Sequence, residues 1–176
     1  MQFNLIPHPA TPPSRPFDVW VGVDHAGAFG ATATTNLWFC MAAPMQQFVI
    51  RESEAPGRRD ELWQSTCFEA FLKGSNGDYR EWNFAASGDW AAYDFTGYRE
   101  GMALAEIESP PYLRTEDNLT WWAVGATFTG PAGVALNLGL SAVLEETNGT
   151  KSYWALAHGA DKPDFHDAGC FTARLA

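Results

Sequence analysis

Apolar positions along this chain fall in short runs rich in Val, Trp, Phe and Tyr, separated by clusters of Gly, Pro, Asn and Asp. No segment keeps a helical apolar stripe for three turns, and the period-two alternation predicts strands instead. The predicted strands are residues 17–24, 37–42, 48–52, 65–72, 80–85, 90–95, 104–107, 119–128, 134–144, 152–158 and 170–175. Roughly ten strands with short connections imply an all-β fold, a β-sandwich of jelly-roll or immunoglobulin-like type. The clearest hairpin lies at Asn148-Gly149, a pair suited to the positive φ angles of a tight turn. Pro44 and residues 54–60 read as loops. With no internal repeat, linker or low-complexity stretch, residues 1–176 are expected to form a single domain.

Strand alternation also sorts side chains by face. In residues 66–72, Phe68, Ala70 and Leu72 point one way and Cys67, Glu69 and Phe71 the other. In residues 80–85, Trp82 and Phe84 match the apolar set and leave Glu81 and Asn83 opposite. With residues 73–79 as the connection, a symmetric antiparallel register sets Ala70 near Trp82 and Glu69 near Asn83. Carried across Ala86-Ser87-Gly88, the same parity puts Tyr93 and Phe95 on the core side and Trp90 beside Asn83. Glu69, Glu81, Asn83 and Trp90 are therefore expected to share one polar face with an aromatic plate. If that face is open, truncating Glu69 or Asn83 should shift melting little.

Composition narrows what such a face could bind. Eight Trp and twelve Phe carry too much apolar area for a disordered chain. Twenty-one acidic against eleven basic side chains, a net charge of −10, exclude a nucleic-acid partner and favour neutral or cationic ligands. Cys40, Cys67 and Cys170, odd in number and without a CxxC pair, read as reduced, mostly buried thiols. The five prolines of residues 1–16 do not resemble a signal peptide, and no apolar run reaches the roughly 18 residues of a membrane helix. A cytoplasmic protein without a membrane partner is expected.

Glu69 and Glu81 could supply the carboxylate pair of glycoside hydrolysis, or be solvated strand carboxylates whose pKa has no reason to rise. Of Trp63, Trp90, Trp121, Trp122 and Trp154, most should be core, leaving one or two near loop ends or on the polar face to stack on sugar rings. Residues 157–167 concentrate His158, Asp161, Asp164, His166 and Asp167. On an extended segment Asp164 and His166 would face the same side and could hold a metal. No known metal-ligand spacing appears, which favours an ordered loop or an organic-ligand role. His158 with Met41 or Met45 could instead ligate haem, non-covalently in the absence of CxxCH.

The stretch Leu62-Trp63-Gln64-Ser65-Thr66-Cys67-Phe68-Glu69-Ala70-Phe71-Leu72, followed by Glu81-Trp82-Asn83-Phe84-Ala85-Ala86-Ser87-Gly88-Asp89-Trp90-Ala91-Ala92-Tyr93, resembles the DOMON-like domains related to family-nine carbohydrate-binding modules. Leu5-Ile6-Pro7-His8-Pro9 and Lys162-Pro163-Asp164-Phe165-His166 are similar to a bacterial branch associated with MurB-type reductases. The resemblance spans nearly the whole chain. It implies a jelly-roll-like sandwich that binds haem or sugars rather than catalysing a reaction. Thr66-Cys67 stands where the sugar-binding modules usually show Asp-Ser. The resulting expectation is a non-catalytic module for a carbohydrate or sugar-derived metabolite, with haem binding as the alternative and a glycoside- or metal-dependent hydrolase third. Its ligand-binding residues would be Trp63, Glu69, Glu81, Asn83, Trp90, His158, Asp164 and His166, with no catalytic residue, metal or resident cofactor.

Overall fold

Alternating apolar residues build two antiparallel layers in the computed structural model, which describes residues 1–27, 32–131, 136–159 and 161–175. The strands are β1 (Gln2–Pro7), β2 (Val19–Gly27), β3 (Thr32–Met41), β4 (Cys67–Lys73), β5 (Tyr79–Phe84) and β6 (Trp90–Phe95). They continue as β7 (Ala103–Leu104), β8 (Tyr112–Asp117), β9 (Trp122–Pro131), β10 (Leu136–Glu145), β11 (Lys151–Ala155) and β12 (Ala173–Leu175). One layer runs β1-β2-β3-β9-β8, and the other runs β7-β6-β5-β4-β10-β11, with β12 beside the start of β10. β1 joins the layers: Gln2–Leu5 pair with β2, and Ile6 and Pro7 pair with β11. Among the described residues no helix is long and apolar enough to cross a membrane.

The main core lies between the layers. Val21, Phe39 and Val124 from the first meet Phe68, Trp82, Phe84 and Leu140 from the second. The second layer also carries a smaller apolar cluster on its outer face, where Phe71, Tyr79, Tyr93 and Phe95 are covered by Leu62, Phe165 and Phe171. Strands buried on both faces lose the clean polar alternation of a half-exposed sheet. In β4, six of seven residues are buried.

The register of β4 and β5 is as predicted, with Glu69 opposite Asn83 and Ala70 opposite Trp82. The next strand differs. Phe84 pairs with Trp90 and Glu81 with Tyr93, so Trp90 faces the main core while Tyr93 and Phe95 share the face of the two glutamates. The cause is the hairpin at residues 85–89, in which Gly88 donates its N–H to the Ala85 carbonyl at 3.0 Å and Ala85 donates to Asp89 at 2.9 Å. Such a turn, with a left-handed glycine at its end, leaves one more unpaired residue than an even loop. A slip of one position moves every following side chain to the other face.

Other predicted strands change for local reasons. Residues 48–52 contribute only an isolated bridge, Phe48 to Glu146, after a single 3-10 turn at Met45–Gln47. At residues 119–121 the chain is turning, because Asn118 Oδ1 accepts hydrogen bonds from the backbone N–H groups of Thr120 and Trp121. The predicted strand 104–107 shrinks to Ala103–Leu104, and 170–175 becomes a 3-10 turn followed by β12. The first two residues of the predicted strand 134–144 lie outside the described residues. At the Asn148-Gly149 hairpin only the glycine takes positive φ.

Candidate functional site

Glu69 and Glu81 project from β4 and β5 onto the outer face of the second layer, into a cleft of about 340 Å³. Phe95, Val143 and Tyr153 extend its walls from β6, β10 and β11, and Phe165 and His166 close it from the loop before β12. Trp63, Arg99 and Met102 stand at its rim. Trp63 belongs to a 3-10 turn at Leu62–Gln64, entered through Glu61 at φ 61°. That turn sets the indole edge-on to Tyr93, with 5.8 Å between ring centres, while the Tyr93 hydroxyl donates to Asp60 at 2.9 Å.

The carboxyls are almost wholly buried, Glu69 3% and Glu81 5% exposed, which closes the face to bulk solvent and overturns the reading of them as solvated strand carboxylates. Ser141 donates to Glu69 Oε2 at 3.1 Å, and Asn83 Nδ2 donates to Glu81 Oε1 at 2.6 Å. Burial and the neighbouring Glu81 charge push Glu69 well above the ordinary carboxyl range, against the pull of Ser141. Burial raises Glu81 to about 7, opposed by Asn83 and the Arg99 charge. Asn83 lies fully beneath them, its amide oxygen 3.4 Å from the Cys67 sulfur.

His166 is packed among Phe71, Tyr79 and Phe95. Its Nδ1 lies 2.8 Å from the Tyr79 hydroxyl, which accepts the Arg99 backbone N–H at 3.2 Å. The hydroxyl is then free to donate to Nδ1, which leaves Nε2–H facing Glu81 Oε2 at 3.6 Å. Burial, helped by Arg99 and opposed by Asp164, lowers His166 to about 4. The contact with Glu81 is therefore no ion pair at neutral pH.

Arg99, at φ 54° in the turn after β6, donates to Asp164 Oδ1 at 2.8 Å, and Tyr98 donates its hydroxyl to the same carboxylate. Burial alone would raise Asp164, but these two partners hold it below its ordinary value. The turn after β6 and the loop before β12 are thus clasped at the mouth of the cleft.

The predicted site residues separate into three groups. Trp63, Glu69, Glu81 and His166 line the cleft, while Asn83 and Asp164 hold lining residues in place. Trp90 faces the core, and the Arg58 guanidinium lies 5.3 Å from its ring centre. His158 stands apart from the cleft lining, its Nε2 2.9 Å from the Ile6 carbonyl and its ring edge-on to His8. The loop gathers no metal set: Asp164 turns back onto the His166 backbone N–H, and no group of three potential ligands occurs among the described residues. A His158–Met haem pair does not fit either, since Met41 is completely buried and Met45 packs onto the same core. Sequence reasoning missed Arg99, Tyr153 and Met102. A correct turn length would have brought Tyr93 and Phe95 to the right face, whereas no spacing signal marks Arg99.

The architecture is shared with a solved protein. Over 99% of this chain and 85% of the other, it is similar to a Bacteroides uniformis protein provisionally assigned to carbohydrate binding, with TM-score 0.66 and 13% identity. It also shows TM-score 0.47 and 10% identity to a family 9 carbohydrate-binding module from Caldicellulosiruptor kristjanssonii solved with glucose, over 86% and 73% of the two chains. No family profile and no curated protein sequence matches the chain. The first likeness establishes a common all-β sandwich fold.

Proposed function

We propose that this chain is a non-catalytic module that binds a carbohydrate or sugar-derived metabolite in the cleft over β4 and β5. The observation that carries this reading is the pairing of fixed, buried hydrogen-bonding groups, Glu69 and Glu81, with aromatic surface at Trp63, Tyr153 and Phe165 in one cavity. Hydroxyls suit the first and the C–H faces of a sugar ring suit the second. The shared fold with a protein provisionally assigned to carbohydrate binding supports the reading, as does the resemblance of residues 62–72 and 81–93 to DOMON-like domains.

The test is a glycan array followed by calorimetry on the parent protein, Trp63→Ala and Tyr153→Phe. Loss of stacking on Trp63 should weaken the best ligand by about fivefold to tenfold, and the ligand should be recovered intact after incubation. Saccharides that fail to bind at all would sink the reading. A hydrolysed ligand would instead make Glu69 and Glu81 an acid paired with a base or nucleophile.

A further inference from the structure

Two buried carboxyls share the cleft floor, and neither has a Lys or Arg within ion-pair distance among the described residues. The nearest cationic side chain in the lining, Arg99, is committed to Asp164 and hydrogen-bonded there at 2.8 Å. His166 is neutral and presents Nε2 to Glu81. Glu69 uses Oε2 for Ser141, while Oε1 receives no hydrogen bond from any described residue. The wall above them is aromatic rather than basic: Trp63, Phe95, Tyr153 and Phe165. Ionising a buried carboxyl is costly without a cation beside it, and a positively charged ligand removes that cost. Aromatic faces add attraction for an ammonium group.

We propose that the cleft selects saccharides bearing a protonated amine, which the Glu69 and Glu81 carboxyls hold beneath the aromatic rim. The inference rests on the carbohydrate reading above and names the substrate class it leaves open. Binding places the ammonium against Glu69 Oε1, the oxygen without a partner, and within reach of Glu81. The amine donates to both, the carboxyls release the protons they carry to solvent and become ionised, and the rest of the ring takes the apolar walls.

Calorimetry at neutral pH with three matched disaccharides tests the assignment: chitosan disaccharide with free amines, its N-acetylated counterpart, and cellobiose with hydroxyls at the same carbon. The amine form should bind about tenfold or more tighter than either neutral form, as expected for a charge-assisted hydrogen bond. In Glu69→Gln and in Glu81→Gln the ratio of amine to hydroxyl affinity should collapse toward one, with thermal melts confirming that both variants fold. Glutamine keeps the shape and removes the charge, so the ratio reports on charge even if absolute affinity changes. Equal affinity for the three sugars, or tighter binding of a uronic-acid disaccharide, overturns the inference and leaves the carbohydrate reading standing. An amine preference that persists in both variants reflects attraction to the chain's net charge of −10 and also overturns it. Failure of all three sugars to bind overturns the inference, while the carbohydrate reading stands or falls with the glycan array.

Discussion

Asn83 holds the cleft floor from below, with its amide nitrogen on Glu81 and its oxygen facing the Cys67 thiol. Replacing it with Ala leaves a buried carboxyl oxygen without its donor. Asn83→Ala should therefore cost about 1–3 kcal/mol in urea unfolding, unlike the small shift an exposed position would give. The acids of the floor also set a pH dependence with a definite sign. Glu81 titrates near 7 in the fold against an ordinary 4.5, so the native state keeps a proton the unfolded chain has lost. Its contribution to stability falls as pH rises from 4.5 to 7. His166 works in the opposite sense: lowered from 6.5 to about 4, it withdraws stability as pH drops through that window. Glu81→Gln removes the first effect and keeps the second. Its unfolding free energy should gain steadily on the parent as pH climbs from 4.5 to 7 in denaturation series, and a constant difference would contradict the assignment.

Hairpins decide which residues reach the cleft. Gly88 and Gly149 both sit at positive φ, 90° and 88°, at the same place in two five-residue connections. A side chain at either pays for the left-handed conformation, about 1–2 kcal/mol. At Gly88 a methyl would also come within 3.0 Å of the Pro56 ring, whereas at Gly149 the space is open. Melting curves should therefore rank Gly88→Ala below Gly149→Ala, and Gly149→Asn above both, since Asn tolerates this region. The same turns explain what could be read from the sequence. Alternation located Glu69, Glu81 and Asn83 correctly because β4 and β5 keep their period and pair as a symmetric connection demands. Trp90 was misplaced because alternation carries no information on whether a turn inserts an odd or an even number of residues. β8 escaped detection for another reason: it has no buried side chain and bears Arg114, Glu116 and Asp117 on an edge. Charges protect an edge strand from pairing with other chains, and they erase its apolar signature. β1 was hidden by the prolines that follow it, although its Leu5 is buried in the core.

At the scale of the whole molecule, β1 is the seam through which hydrogen bonding passes from one layer to the other. Leu5→Ala should cost about 2–5 kcal/mol as a core truncation. Deleting residues 1–7 removes that contact and both ladders together, so calorimetry should show a larger loss and a broadened transition. If the deleted chain melted as sharply and as late as the parent, β1 would be an appendage. Distribution of the indoles has a different consequence, an optical one. Trp82, Trp90, Trp122 and Trp154 are buried, Trp20 and Trp38 are half-buried, and Trp63 and Trp121 are 36% and 37% exposed at separate places. Only Trp63 belongs to the cleft. Acrylamide should quench emission most strongly from Trp63 and Trp121 and less from Trp20 and Trp38, and an occupant of the cleft should shield Trp63. Quenching of the parent and of Trp121→Phe, with and without a saccharide, would then turn the protein's own fluorescence into a direct gauge of whether the cleft is filled.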